Sequence, residues 1–410
     1  MQVAVRRGDG CRQVGRDPGT LSTPGTWTVT PGQPCFRTPM RAIIVSHAYV
    51  PPSHRGKLHA LTTLGCSVAV AVPARWADPR SGAVVETGWD DDGGVRVVPI
   101  PVRGDPSDPA DVRWDGRALR RLLKDFRPDI VQVEEEPWST AAARAVAEAR
   151  RLRIPSVVYT WLSLPRAHTL AQRLRRRGVY HTVAGAVAGN ELAAALLARV
   201  RPGLRCAVIP QLGVSPAPAA NDLSGPLAIG FIGRLVPEKG LDLLFRACVK
   251  VMGDWSLDVV GTGPAQIELE ALAERLGISA RITWHGALPR TELADVWRTL
   301  NCVVLPSRTT RDWVETQGSA AIEAMAHGVP VIVSDTGVLK QVVGEGGLIF
   351  PQDDADALAS QLRRLLDDPA ERARIGADGR RRVISSFSSE ALARRQMEFW
   401  RRLAEQPASH

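Results

Sequence analysis

Residues 315–330 read ETQGSAAIEAMAHGVP. They follow an apolar run over 301–305 with its Leu305-Pro306-Ser307 end, and they lead into a second apolar run near 330–333. Thr316 through Ala326 fit a helix between those two runs. Strand, helix and strand in succession is the repeating unit of a parallel α/β sheet. Gly318 sits at the amino end of that helix and allows close approach of a ligand. The backbone N–H groups of Thr316, Gln317, Gly318 and Ser319, with the helix dipole behind them, favour a phosphate or a sugar oxygen. Glu323 comes eight residues after Glu315, about two helical turns along. A carboxylate accepts two hydroxyl hydrogen bonds at once, as the vicinal diols of ribose or a hexose require. Two exposed helix glutamates would share that spacing. The tail Ala324-Met325-Ala326-x-Gly328-x-Pro330 makes the block far more specific than either glutamate alone.

Outward from this block the same rhythm continues. In the second half, strands are expected near 227–232, 256–260, 281–284, 301–305, 330–333 and 347–350, and a closing helix over Glu390 to Leu403. In the first half they are expected at Ala42 to Val45, Ser67 to Val72, Val95 to Ile100, Ile130 to Val133, Ser156 to Tyr159, a run from Val183 to Gly189, and Ala207 to Ile209. Between Trp114 and Phe126, Leu119, Leu122, Leu123 and Phe126 fall at i, i+3, i+4 and i+7, one face of a helix. Further helices are expected over Ala141 to Leu152 and Leu170 to Arg177. Gln211 to Asp222, rich in Pro, Ala and Gly, reads as a linker. The expected fold is α/β, two Rossmann-like, doubly wound parallel-sheet domains facing a cleft. The expected divisions are an extension or mis-assigned start over 1–39, a first domain over 40–222, a second over 223–387, and a helix over 388–410 crossing back. In such sheets ligands sit beyond the carboxyl ends of the strands.

Composition agrees with a two-domain globular chain. It has 410 residues, 44% hydrophobic and 23% charged, ample to bury two cores. The formal charge is +9, from 52 Lys+Arg against 43 Asp+Glu. That suits an anionic partner such as a phosphorylated small molecule or a membrane surface, and equally suits arginine used for solubility. The six cysteines show no C-x-x-C spacing, which argues against a zinc site and suits a reducing cytoplasm. No apolar run reaches about 18 residues, the length a membrane span needs. The first 39 residues lack periodicity and lack the apolar core of a signal peptide.

Other segments carry candidate chemistry. Gly233-Arg234-Leu235-Val236-Pro237-Glu238-Lys239-Gly240 directly follows a strand. Arg234 offers a planar fork and Lys239 a point charge, a pair able to grip a diphosphate or simply to be solvated. Glu134-Glu135-Glu136-Pro137-Trp138 also follows a strand. Glu135 and Glu136 are candidates for acceptor hydroxyls, with an acidic helix cap as the other reading. Asn190 can bind substrate or cap a helix. Asp90-Asp91-Asp92 resembles a metal-binding D-x-D, but Gly93-Gly94 favours a turn. Arg173-Leu174-Arg175-Arg176-Arg177 is a basic patch for an anionic lipid surface or a solvated helix face. No aromatic interleaving points to nucleic acid.

These features together resemble the family 4 retaining glycosyltransferases of GT-B fold. The resemblance rests on Gly233-Arg234 with Lys239-Gly240, Val260-Gly261-Thr262-Gly263-Pro264, Trp284-His285-Gly286, Leu305-Pro306-Ser307, and the Glu-x7-Glu block with its tail. It covers nearly all of the chain from Met40 and is tightest over about 227–352. It implies that Arg234 and Lys239 clamp the donor diphosphate and that Glu315 contacts hydroxyls of the transferred sugar. Glu323 would hold the nucleotide ribose, with Gly261 and Gly263 turning near the nucleotide. The first half departs in two places. Where many relatives carry a Gly-Gly pair, this chain reads His54-Arg55-Gly56-Lys57. Gly56 can still approach a phosphate, and Arg55 or Lys57 can add charge there or simply form an exposed basic loop. Where many relatives place a His after the strand ending at Thr160, this chain has Trp161. His168, seven residues on, reads as a surface residue.

The expected activity is retaining transfer of a hexose from a nucleotide diphosphate sugar to a hydroxyl acceptor, with no cofactor and no metal. A cytoplasmic place, with contact at the inner membrane face through the basic run, goes with it. Two other classes stay open on sequence grounds. A nicotinamide-dependent oxidoreductase would use Gly261-Thr262-Gly263-Pro264-Ala265-Gln266, which lacks the third glycine of the fingerprint. A non-catalytic scaffold would use only the basic surface.

Overall fold

β-branched runs make the strands, and burial on both faces explains why they read as continuous apolar stretches. A computed structural model describes residues 39–77, 84–105, 112–216 and 223–405, and at 290–291 the backbone alone. The expected extension lies, through residue 38, outside the described residues, as does 217–222 of the expected linker. The strands of the first half are β1 (Arg41–Val45), β2 (Ser67–Pro73), β3 (Arg75–Ala77), β4 (Val84–Glu86), β5 (Asp90–Asp92), β6 (Val95–Ile100), β7 (Val102–Arg103), β8 (Arg113–Trp114), β9 (Ile130–Val133), β10 (Ser156–Thr160), β11 (Gly185–Ala188) and β12 (Cys206–Val208). Eight of them form one sheet in the order β12-β11-β10-β9-β1-β2-β6-β5. All its pairs between β12 and β6 are parallel, and only β5 runs antiparallel at the edge.

The second half holds β13 (Leu227–Ile232), β14 (Trp255–Val260), β15 (Ile282–Gly286), β16 (Cys302–Leu305), β17 (Val331–Ser334) and β18 (Leu348–Phe350). They form a six-stranded parallel sheet in the order β15-β14-β13-β16-β17-β18. Each sheet is covered on both faces. In the first, Ile43, Val45 and Val131 pack with Leu119, Leu123 and Ala145 on one side. On the other, Ile44, Val70 and Val97 pack with Leu58, Leu61 and Trp400. The second sheet likewise has one core around Phe231, Leu244 and Leu362 and another around Val303, Ala324, Met325 and Leu339.

Two features of this topology place the site. Strand order reverses between β1 and β9 in the first sheet and between β13 and β16 in the second. Such reversals open a crevice at the carboxyl edge, because the flanking connections leave in opposite directions. The last helix, Ser389–Glu405, packs on the first sheet rather than the second. Its Leu392, Met397, Phe399, Trp400 and Leu403 join the core of β1, β2 and β6. The Trp400 indole N–H donates to Gln132 Oε1 at 2.9 Å, and Gln132 Nε2 donates to Gln396 Oε1 at 3.2 Å.

Asp90–Asp92 is a short strand, and the turn is Gly93-Gly94 beyond it, with φ of 60° and 84°. The expected strand run from Val183 is shorter, because Val183 still closes the helix Leu170–Thr182. The helix expected from Thr316 begins at Ser319. Cys66, Cys248 and Cys302 are buried and Cys206 is exposed, all as free thiols.

Candidate active site

The loop after β13 and the loop after β16 flank the reversal of the second sheet, and they bring Lys239 to Glu315. Lys239 ends a single 3-10 turn, Pro237–Lys239, closed by Gly240. Its Nζ lies 2.5 Å from Glu315 Oε2 and 5.1 Å from the centre of the Trp313 ring. Glu315 is 7% exposed. Burial alone would raise its carboxyl. The Lys239 charge and hydrogen bond, with the Gly318 N–H at 3.3 Å, more than offset that and hold it below the usual range. Gly318 has φ of 63°, the left-handed region that a side chain disfavours. That kink stops Glu315 from lying on the helix and turns its carboxylate back toward the lysine. The two glutamates are therefore not two turns apart on one helix. Glu315 stands in the preceding loop, and only Glu323 is helical.

Just beyond Gly318, the helix Ser319–Ala326 starts with open donors. The first intrahelical bond is Ile322 N–H to Gly318 O, so the N–H groups of the first turn have no intrahelical partner. Thr316 is half-buried, and Gln317 and Ser319 are exposed beside them. Arg234 is exposed two residues after β13, and its guanidinium makes no hydrogen bond or ion pair among the described residues. Gly261 follows β14 with φ of 132°, and a Cβ there would fall 1.9 Å from the Gly233 carbonyl oxygen. The Arg234 loop and the Gly261 turn can lie this close only without that side chain. Gly263 abuts the Leu235 carbonyl in the same way, since a Cβ there would fall 2.3 Å from the carbonyl oxygen. On the far side of β14, His285 Nε2 meets Asp258 Oδ1 at 2.7 Å.

Glu323 faces a different wall. It lines a pocket with Ser53, Gly56, Gly213, His327 and Ser389. Gly56 opens the helix Gly56–Thr63, and its Cα is packed so closely on Ser389 that a Cβ would lie 2.7 Å from that hydroxyl. The neighbouring cations are not an exposed basic loop. Arg55 is 3% exposed, donates to Tyr49 O and Val50 O, and pairs with Asp92 at 2.9 Å. Lys57 is 1% exposed and pairs with the fully buried Glu134 at 3.2 Å. Both charges are consumed inside the first domain because Asp92 of β5 and Glu134, just past β9, reach them.

The acidic triplet separates by role. Glu134 also accepts from Gln132 Nε2 at 2.7 Å and Gln211 Nε2 at 3.0 Å. Glu135 meets His47, with Oε1 2.9 Å from Nδ1 and 3.1 Å from the His47 N–H. Glu136 accepts from the Thr160 hydroxyl at 3.0 Å and the Trp161 N–H at 2.9 Å. Burial pushes the Glu136 carboxyl up to about 7, against those hydrogen bonds. None of the three caps the next helix, Thr140–Arg151, which has Ser139 as its N-cap. His168 is buried beside Trp138 rather than on the surface. Asn190 caps the helix Glu191–Val200 through Ala193 N–H at 2.8 Å, and its amide also donates to Thr316 O at 2.8 Å. His47 was not singled out from the sequence. A lone His two residues past a strand carries no signal until Glu135 is seen beside it.

Both halves of the chain are similar to known proteins. Residues 218–382 match the family model described as glycosyl transferases group 1, and residues 55–211 match the glycosyl transferase 4-like domain. A D-inositol 3-phosphate glycosyltransferase of Rhodococcus erythropolis is 34% identical over 220 residues, 51% of this chain and 47% of that protein. A GDP-mannose-dependent monoacylated alpha-(1-6)-phosphatidylinositol monomannoside mannosyltransferase of Corynebacterium glutamicum is 33% identical over 168 residues, 40% of this chain and 44% of that protein. The chain thus spans about half the length of the curated relatives it matches. The solved sucrose-phosphate synthase of Thermosynechococcus elongatus shares the fold, with a TM-score of 0.63 at 21% identity over 89% of this chain and 99% of that one. Two doubly wound sheets with paired charges at the second reversal, and a glycosyltransferase model matching each half, place the chain in the family 4-like, group 1 glycosyltransferases of GT-B fold.

Proposed function

We propose that this protein transfers a hexosyl group from a nucleotide diphosphate sugar to a hydroxyl acceptor, with retention at the anomeric carbon and without a metal ion. The Lys239–Glu315 pair at the reversal of the second sheet carries this reading. It sets a cation for phosphate and an anion for hydroxyls within one hydrogen bond of each other, beside the open N–H groups of a helix. On donor binding, Lys239 and Arg234 take the diphosphate and Glu315 turns to hydroxyls of the sugar. Glu323 holds the ribose, and Gly261 and Gly263 let the nucleotide approach the backbone. The acceptor oxygen then bonds to the anomeric carbon while the bond from that carbon to the diphosphate oxygen breaks. The electron pair leaves with the diphosphate, and the acceptor proton passes to a phosphate oxygen on the same face. Arg234, Lys239 and the helix amino end stabilise the charge that builds there, the part a metal would otherwise take.

The test is a donor screen that detects released nucleoside diphosphate, with and without hydroxyl acceptors. Release that requires both partners, with an axial or equatorial product matching the donor by NMR, is expected. No release from any common UDP, GDP or ADP sugar sinks the reading. Stabilisation by NADH alone would instead favour an oxidoreductase.

A second surface bears on where the reaction takes place. The helix Leu170–Thr182 exposes Leu170 and Leu174 beside Arg173 and Arg177. Apolar side chains between arginines suit peripheral contact with an anionic bilayer. No helix among the described residues is long and apolar enough to cross one. Salt-sensitive flotation with phosphatidylglycerol vesicles, lost in a Leu170→Ser, Leu174→Ser variant, is expected. Equal flotation of both proteins would remove this contact.

A further inference from the structure

The first sheet carries a histidine–carboxylate pair where its own strand order reverses, at the place matching the Lys239–Glu315 pair in the second. His47 follows β1 and Glu135 follows β9, so their contact bridges the two strands on either side of the reversal. Glu135 is 2% exposed and both its oxygens lie within 3.0 Å of His47 Nδ1. That contact occupies one ring nitrogen and leaves Nε2 as the polar end of the dyad. The ring is fixed from the side as well. The Trp76 indole stacks on it at 4.7 Å and 25°, and Trp161 stands edge-on at 6.4 Å and 71°. Trp76 is 5% exposed, whereas Trp161 is only half-buried. One aromatic surface therefore remains beside one polar nitrogen.

This cluster faces the donor loop. Along the carboxyl edge of the first sheet, the Trp161 N–H donates to Glu136 at 2.9 Å, the Ser163 hydroxyl donates to Trp161 O at 3.0 Å, and the Asn190 amide donates to Ser163 Oγ at 3.0 Å and to the carbonyl of Thr316, the residue after Glu315, at 2.8 Å. Beyond that edge is where a ligand of a doubly wound sheet sits. Glu134, the other carboxylate near the imidazole, is committed to Lys57. His47 is charged more readily than an ordinary histidine, since Glu135 outweighs its burial.

We infer that His47, oriented by Glu135, and the open face of Trp161 form the acceptor subsite, and that it takes a polyhydroxylated ring, a sugar or cyclitol, rather than an open-chain alcohol. A ring offers a C–H face for the indole and, at its edge, a hydroxyl for Nε2. An alkyl alcohol offers no such pairing of flat apolar face and fixed polar edge. His47 and Trp161 bind the ring; Glu135 is a positioning residue that holds the imidazole. The inference rests on the proposed transfer reaction, and its test keeps the two apart.

With the sugar nucleotide found active in the donor screen, methyl α-mannopyranoside, methyl α-glucopyranoside, myo-inositol and 1-octanol are compared as acceptors. At least one ring is expected to raise nucleoside diphosphate release and octanol to leave it at the level without acceptor. In His47→Gln the KM for that ring should rise about tenfold, as for loss of one hydrogen bond, while the KM for the donor moves by less than about twofold. Trp161→Ala, which leaves the dyad intact, should show the same split and serves if His47→Gln folds poorly. Glu135→Gln should fall between wild type and His47→Gln. If wild type transfers to a ring and both His47→Gln and Trp161→Ala keep the wild-type acceptor KM, the subsite is wrong while the transfer reaction stands. Transfer to octanol in preference to every ring overturns the ring class. No release from any donor overturns both.

Discussion

The side-chain amide of Asn190 donates to the carbonyl oxygen of Thr316 at 2.8 Å, so a helix cap of the first sheet is tied to the loop that carries Glu315. The same side chain holds its helix through the Ala193 N–H. Asn190→Ala should lower stability by about 1 kcal/mol, the usual worth of an N-cap, and raise the donor KM as well. Asn190→Ser keeps a capping oxygen but is too short to reach Thr316. It should recover the melting temperature and keep the raised donor KM. Thermal melts and donor titrations of both variants check this, and a normal donor KM in both would remove the tie from function.

Glu315→Gln separates charge from shape. The amide keeps the size, loses the pairing with Lys239, and should reduce transfer by about a hundredfold or more if the anion holds donor hydroxyls. The pH dependence has a definite sign. The folded carboxyl lies below its usual value of 4.5, so its contribution is present above about that pH and is lost on acidification through the folded value. Wild type should therefore lose stability faster than Glu315→Gln below pH 4.5. Parallel acid limbs in melts of the two proteins would contradict the pairing.

Glu136 should show the opposite sign. Its pKa, raised by burial from 4.5 to about 7, means the folded protein binds the proton more tightly than the unfolded chain. Its favourable contribution is full below about pH 4.5 and is lost as pH rises through about 7, on the order of 3 kcal/mol in all. Wild type should fall in stability relative to Glu136→Gln between pH 5 and 8. Denaturant titrations at the two pH values decide this, and an unchanged difference would mean that Glu136 is ionised in the fold throughout.

Lys57→Met leaves Glu134 fully buried without its cation. Gln132 and Gln211 still donate to it, but neither neutralises it. The loss should be about 3–5 kcal/mol, the usual result of breaking a buried pair from one side. Adding Glu134→Leu should restore most of it. If the single variant costs as little as a surface pair, Lys57 is not the partner on which Glu134 depends.

Much of the fold was legible in the chain. The expected strands at 95–100, 130–133 and 227–232 coincide with β6, β9 and β13, because strands buried over most of both faces read as largely apolar runs. The helix over Gly116–Phe126 shows its i, i+3, i+4, i+7 face in its buried residues. The helix of the Glu-x7-Glu block was legible, but its start was not. Gly318 in the left-handed region moves that start to Ser319, and nothing in the spacing distinguishes such a glycine from one in a first turn. Arg55 and Lys57 read as a solvated basic loop because Asp92 and Glu134 are 37 and 77 residues away.

By itself, then, the sequence determined two parallel sheets and the short motifs at strand ends, since period, propensity and turn chemistry act between near neighbours in the chain. Only the tertiary structure decided which charges are spent internally and which meet across a reversal. Lys239 finds Glu315 over 76 residues, and His47 finds Glu135 over 88. Those encounters depend on strand order, and strand order is set by packing both faces of each sheet at once.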